Sequence, residues 1–200
     1  MTQTVITISR LHGSAGEQIG RQAAENLSIP FFGKAEIMQT AAQESGIALM
    51  HFYSSALRAD MGPIFPILPG APFDPPLRDK IESAQAAAIR SLARRGSCVI
   101  VGGGACKLLC GRVPLLRVLI YAPKTIRIQH LCERYAVSPK DAQKRMASVD
   151  RRRMADHSVC KRDSDLWTDS FDLCINSACF SVRQAARMIE NAYRQITVPV

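Results

Sequence analysis

Two hundred residues, 47% of them apolar and 22% charged, make an ordinary globular chain long enough for one well-filled core, and exclude a disordered one. Lys and Arg number 26 against 17 Asp and Glu, a net charge of +9 that points to an anionic partner rather than to any fold. No apolar run approaches the roughly 18–20 residues that span a bilayer, and the start, Met1 to Ile8, has neither a basic region nor a cleavage site, so a cytoplasmic protein without a membrane partner is expected.

The segments alternate in type along the chain. Thr4 to Ser9 is short and β-branched and ends at a glycine turn, which predicts a strand. Ile19, Ala23 and Leu27 then recur at helical spacing until Ser28-Ile-Pro30 stops the helix. Ile29 to Phe32 predicts a very short strand, followed by a helix over 34–45 that ends near Gly46. Ile81, Ala84, Ala88 and Leu92 stripe a long helix over 77–95, and 97–101 forms the next strand, running into Gly102-Gly103-Gly104. Residues 115–121 predict another apolar strand, with helices following over 123–135 and 138–154. A last short strand over 172–176 and a helix carrying Val182, Ala186, Ile189, Tyr193 and Ile196 complete the chain. Continuous apolar strands separated by helices predict a parallel sheet covered on both faces, a three-layer α/β/α sandwich.

Two segments break this rhythm. Six of the eleven prolines fall between Met61 and Pro76, interleaved with Ile64, Phe65, Ile67, Leu68 and Phe73. That density predicts an irregular excursion whose apolar side chains pack on the body, a ligand or a second subunit, a homodimer being one outcome. From Lys140 to Arg162 eight Lys and Arg stand against three Asp, a net +5 in about a tenth of the chain. The seven cysteines form no C-x-x-C pair, so reduced core thiols are expected, and no histidine stands at a metal-ligand spacing from an acid or a cysteine.

The loop Gly13-Ser14-Ala15-Gly16-Glu17-Gln18 follows the first strand and opens the first helix, where small residues let backbone N–H groups approach a phosphate. It lacks the Lys and the Ser/Thr of the G-x-x-x-x-G-K-[ST] rule. With its flanks, Thr7 to Gly16 and Ile19 to Phe32, it resembles the opening of the bacterial cytidylate kinase-like family. So do Cys98 to Ala105, Val118 to Pro123, and the stretch from Val149-Asp-Arg to Phe171-Asp-Leu-Cys-Ile-Asn176. The resemblance runs from about 4 to 195 and is weakest over 47–76.

It implies a P-loop kinase fold with a five-stranded parallel sheet, a core of 1–33, 77–139 and 166–200, a nucleoside monophosphate-binding insert over 34–76 and a lid over 140–165. It also implies ATP and Mg²⁺, with CMP or dCMP as acceptor. By the same resemblance Gly13, Ser14, Ala15, Gly16, Glu17 and Gln18 hold the donor nucleotide. Arg151, Arg153 and Arg127 are the catalytic candidates, and Arg10, Gly102, Gly103 and Arg152 the acceptor-binding ones. Arginine suits phosphoryl transfer because its planar fork grips two phosphate oxygens. Three adjacent arginines fan around a helix, so Arg151 and Arg153 are expected to reach phosphate and the third to be solvated. Asp150 is expected to be a solvated helix charge, the alternative being that it orients the lid arginines, and Trp167 and Phe171 are expected to pack the chain's return onto the sheet.

The chain departs from the family pattern at charged positions. Glu17 stands where the family's G-S-G-G-R-E has arginine, Gly103 where G-R-G has another, and Gly33 where an aspartate is usual. At roughly 1.5–3 kcal/mol per charged hydrogen bond, such losses reach orders of magnitude in affinity or rate. Alongside the kinase, two alternatives stay open: a relative that binds a nucleotide or other anion, or serves as a scaffold, without turnover, and a nucleic-acid binder using the basic 140–162 segment. Against the last, aromatic residues are only 6% of the chain, which leaves few platforms for stacking bases.

Overall fold

The computed structural model describes residues 3–61, 75–102, 104–157 and 170–196, without the side chains of 56–61, 75–76 and 154–157. The proline-rich 62–74 stretch, Gly103, Cys160 and Trp167 lie outside the described residues.

Five parallel strands lie in the order β2-β3-β1-β4-β5, with β1 spanning Val5–Arg10, β2 Phe31–Phe32, β3 Cys98–Val101, β4 Leu115–Tyr121 and β5 Leu173–Asn176. β1 is central: Val5 aligns with Cys98 on one side and with Leu115 on the other. Alternation along the strands gives the sheet two apolar faces. Ile6, Ile8, Val99, Val101, Val118 and Ile120 pack against Ile19 and Ala23 of helix α1 (Gly16–Leu27) and Ala186 and Ile189 of helix α8 (Val182–Ile196). On the other face Val5, Cys98 and Ile100 meet Ile37 of α2 (Lys34–Ser45), Ile89 and Leu92 of α4 (Pro75–Arg94), and Leu109 of α5 (Ala105–Leu109). The expected three-layer sandwich is therefore the observed fold.

Several boundaries have local causes. Gly33 N–H donates to Glu36 Oε2 at 2.9 Å, which starts α2, and Gly46 ends it at φ 73°. Ser28 closes α1 in the left-handed conformation. α4 begins two residues earlier than the periodicity suggests, because Pro75 and Pro76 occupy a first turn whose N–H groups need no acceptor. Helix α3 (Leu49–Met61) was not foreseen; its Phe52 is fully buried against Met38, Ala41, Ile81 and Ala88. The short α5 was also not foreseen. Helices α6 (Lys124–Tyr135) and α7 (Pro139–His157) pair through Leu131, Ala142 and Met146.

The expectation for cysteines needs correcting. Cys98 and Cys106 are buried, but Cys110, Cys174 and Cys179 are exposed. Burial pushes the Cys98 thiol up to about 12. An ion pair sits against the sheet: Arg117, 5% exposed, donates Nε to Asp172 Oδ2 at 3.0 Å and Nη2 to Oδ1 at 2.5 Å. These bonds hold the Arg117 guanidinium above its ordinary value. Phe171 is buried, as expected for the chain's return to the sheet. Among the described residues no helix is long and apolar enough to cross a membrane.

Candidate phosphate-binding site

The site grows from the C-terminal end of β1, the central strand. Leu11 N–H continues the ladder to Ile120 O at 3.0 Å, and the chain then leaves the sheet. Gly13 (φ 85°) and Ala15 (φ 58°) are left-handed, and Gly16 opens α1. This alternation curls the backbone so that consecutive N–H groups face one side. The first helical donor with an internal acceptor is Ile19 N–H, bonded to Ala15 O at 3.0 Å. The N–H groups of Gly16, Glu17 and Gln18 are thus those a helix start offers to an anion.

Side chains from α6 and α7 hold the opposite, carbonyl side of this loop. Arg127, 8% exposed, donates Nε to Ala122 O at 3.0 Å and Nη1 to His12 O at 3.1 Å. His130 Nδ1 donates to Gly13 O at 3.0 Å, and Arg153 Nη1 to Arg10 O at 3.1 Å. The carbonyls of Arg10, His12 and Gly13 are thereby fixed on the α6 and α7 side of the loop. Asp150 corrects the expectation of a solvated charge: its Oδ1 accepts the His12 N–H at 2.7 Å and its Oδ2 accepts from Arg127 Nη1 at 2.5 Å. The Arg127 and Asp150 side chains are only 9% and 13% exposed.

A cleft of about 850 Å³ opens over the loop, lined by its backbone from Arg10 to Gln18 and by α6 and α7. Six cationic side chains face it (Arg10, Arg21, Lys34, Arg134, Arg145 and Arg153) against the carboxylates of Glu17 and Glu133. Tyr135 carries the Arg145 guanidinium 4.0 Å from its ring centre and that of Arg134 at 5.5 Å, which fixes both long side chains by cation–π contact.

The expected residues fall into distinct places. Gly13, Ser14, Ala15, Gly16, Glu17, Gln18, Arg10 and Arg153 line the cleft together. Ser14 does so through its backbone, since its buried hydroxyl lies 2.8 Å from Leu11 O and 3.0 Å from Ile120 O. Arg127 lies behind the loop rather than in the cleft. Arg151 is exposed, Arg152 half-buried, and neither lines the cleft. Gly102 sits at the end of β3 beneath the Arg10 side chain, and Gly103 is outside the described residues. The sequence reading missed Arg21, Lys34, Arg134 and Arg145. Arg145, Val149 and Arg153 recur at i, i+4 and i+8, so helical spacing alone could have grouped them.

An N–H cradle between the central strand and its helix, in a parallel sheet of order 2-3-1-4-5, defines the class as a P-loop kinase fold. The profile of the cytidylate kinase-like family matches residues 5–178, and the chain belongs to that family. An uncharacterized protein from Eubacterium ventriosum ATCC 27560 superposes with a TM-score of 0.67 at 23% identity, covering 98% of this chain and 100% of that one. Shikimate kinase from Acinetobacter baumannii gives a TM-score of 0.58 at 11% identity over 100% and 97% of the two chains. A gluconokinase from Sinorhizobium meliloti 1021 gives 0.53 at 16% identity over 97% and 98%. At such identities the likeness is one of fold. No curated protein matches the sequence.

Proposed function

We propose that this protein is a nucleotide-dependent phosphotransferase that moves the γ-phosphoryl group of ATP to a nucleoside monophosphate, CMP or dCMP. One observation carries the reading: six cationic side chains line the cleft over the glycine loop that opens α1. Phosphoryl transfer asks little covalent chemistry of a protein, and positive electrostatics with alignment supply most of the rate. In the transfer, a phosphate oxygen of the acceptor forms the new bond to the γ-phosphorus as the bond to the ADP oxygen breaks. In this reading the loop's N–H groups hold the donor phosphates. Arg153 and Arg145 on α7 balance the charge spreading over the transferred group, and Arg10 faces the acceptor beside Gly102. Residues 34–76 would supply the acceptor-binding part and 140–165 the lid.

The donor set fits phosphate better than it fits a caged metal. Among the described residues no group of three His, Cys, Asp or Glu could hold a metal ion. Mg²⁺ commonly keeps several waters and binds through substrate phosphates, so it would enter with the nucleotide. The chain's own contribution is then its N–H groups and cations.

Glu17 favours a second reading, in which the cleft binds a nucleotide without turning it over. Its carboxylate lines the cleft in the first turn of α1, where it suits the helix dipole but repels polyphosphate. Purified protein mixed with ATP, Mg²⁺ and a panel of nucleoside monophosphates separates the two. ADP formation that depends on CMP or dCMP supports transfer. A stabilising thermal shift without ADP supports binding alone. No shift with any nucleotide, together with salt-sensitive binding of DNA or RNA, would defeat both.

A further inference from the structure

The phosphate loop is held from outside by one carboxylate, that of Asp150 in the Val149-Asp-Arg stretch. Asp150 is on α7, 138 positions from His12, yet its Oδ1 accepts the His12 N–H at 2.7 Å while Oδ2 accepts from Arg127 Nη1 at 2.5 Å. The same Arg127 nitrogen donates to His12 O at 3.1 Å, so both polar groups of one peptide residue are fixed by one ion pair. The next residue, Gly13, is left-handed, and a Cβ there would lie 2.8 Å from Arg127 O, so the backbone of the loop's first turn presses on the element that carries Arg127. Three residues along α7 from Asp150, Arg153 grips Arg10 O. Two side chains one helical turn apart thus clamp the backbone on both sides of Leu11, immediately before the anion cradle.

We propose that Asp150 is a positioning residue for the phosphate loop: it fixes Arg127 and the His12 peptide so that the cradle N–H groups are aimed before any ligand arrives. It touches no ligand itself, because its oxygens are committed to His12 and Arg127. The idea rests on the proposed nucleotide site, but the clamp can be measured without nucleotide. A preorganised cradle loses less entropy on binding, so the loss of the clamp shows in ligand affinity.

Two measurements on Asp150→Asn test this. Amide exchange in ligand-free protein should show the His12 N–H exchanging at least about tenfold faster, because the charged acceptor is gone. Calorimetry well below the melting temperature should show ATP and inorganic pyrophosphate both binding about tenfold or more weakly, by a common factor, since both use the loop. Asp79→Asn, exposed on α4 and outside the cleft, should change neither. If Asp150→Asn does not fold, the apolar pair Arg127→Met/Asp150→Leu replaces it, with the same two expectations. Unchanged His12 exchange, or unchanged or tighter ATP binding in a folded variant, overturns the proposal. If the parent binds neither ATP nor pyrophosphate, the nucleotide reading fails and the exchange measurement alone decides the role of Asp150.

Discussion

Gly102 and Arg10 share one space: a Cβ built on Gly102 would overlap the Arg10 guanidinium, and Gly102 is itself left-handed at φ 83°. Gly16 makes room for the same side chain, since a Cβ there would lie 2.6 Å from Arg10 Cβ. Two glycines from different elements therefore seat one arginine at the cleft. Gly102→Ala should drive the guanidinium off its seat and weaken binding of the acceptor monophosphate, CMP, about tenfold, with roughly 1–2 kcal/mol lost from backbone strain. Titration calorimetry of Gly102→Ala, Arg10→Met and the double variant checks this. The two single losses should not add, and full additivity would separate the residues.

Ala15 holds a left-handed backbone in the cradle despite carrying a side chain. At φ 58° and ψ 15° an alanine costs roughly 1–2 kcal/mol, while the extra freedom of glycine in the unfolded chain costs roughly 0.4–1 kcal/mol. Ala15→Gly should therefore stabilise the protein by about 0.5–1 kcal/mol, a rise of about 1–4 °C in Tm by calorimetry. A lower Tm would mean that the packing of the methyl group outweighs its backbone strain.

Charge restoration at residue 17 tests the cleft's electrostatics. Glu17→Arg removes a carboxylate from the cleft and adds a guanidinium near the N–H groups of α1. ATP affinity should rise about ten- to hundredfold, with a steeper dependence on salt. Unchanged or weaker binding by calorimetry would take residue 17 out of the binding surface.

Breaking the Arg117 and Asp172 pair tests the sheet rather than the site. Asp172→Asn would strand a guanidinium that is only 5% exposed, and should cost about 3–5 kcal/mol in urea unfolding. A loss within experimental error would show that Arg117 finds other acceptors.

Alkaline stability should carry the signature of Cys98. Its folded thiol ionises near 12 against an ordinary value of 9.0, so the unfolded chain releases this proton first. The contribution is complete below pH 9 and is lost as the pH rises toward 12, at about 1.4 kcal/mol per pH unit. Urea midpoints between pH 8 and 10.5 should fall more steeply for the parent than for Cys98→Ala. At pH 8 an alkylating reagent should label the exposed Cys110 and Cys179 and spare Cys98.

Much of the fold was legible because local and global signals agree. The helix at 34–45 and the strand at 115–121 match the sequence pattern to the residue, and the glycine loop lies where its pattern places it, between the first strand and its helix. Helix α3 escaped because its pattern runs into the prolines beyond Met61, and because Phe52 is buried by α2 and α4 rather than by the sheet. The site was read less well for a physical reason: a motif groups neighbours along the chain, whereas the clamp joins residues 12, 127 and 150 across three elements. Arg127 was singled out for a ligand and is instead committed to His12 O, Ala122 O and Asp150.

The cradle hangs from β1, the central strand of the sheet, while α7 lines the cleft from the periphery. A mutation in the cradle, or at Asp150 and Arg153 that hold it from α7, therefore moves the anion seat, but one at the rim, at Glu133 or Arg134 of α6, need not. Descendants of this chain can change what they accept far more readily than where they hold it, so ligand preference should drift fastest at the rim and slowest at the loop.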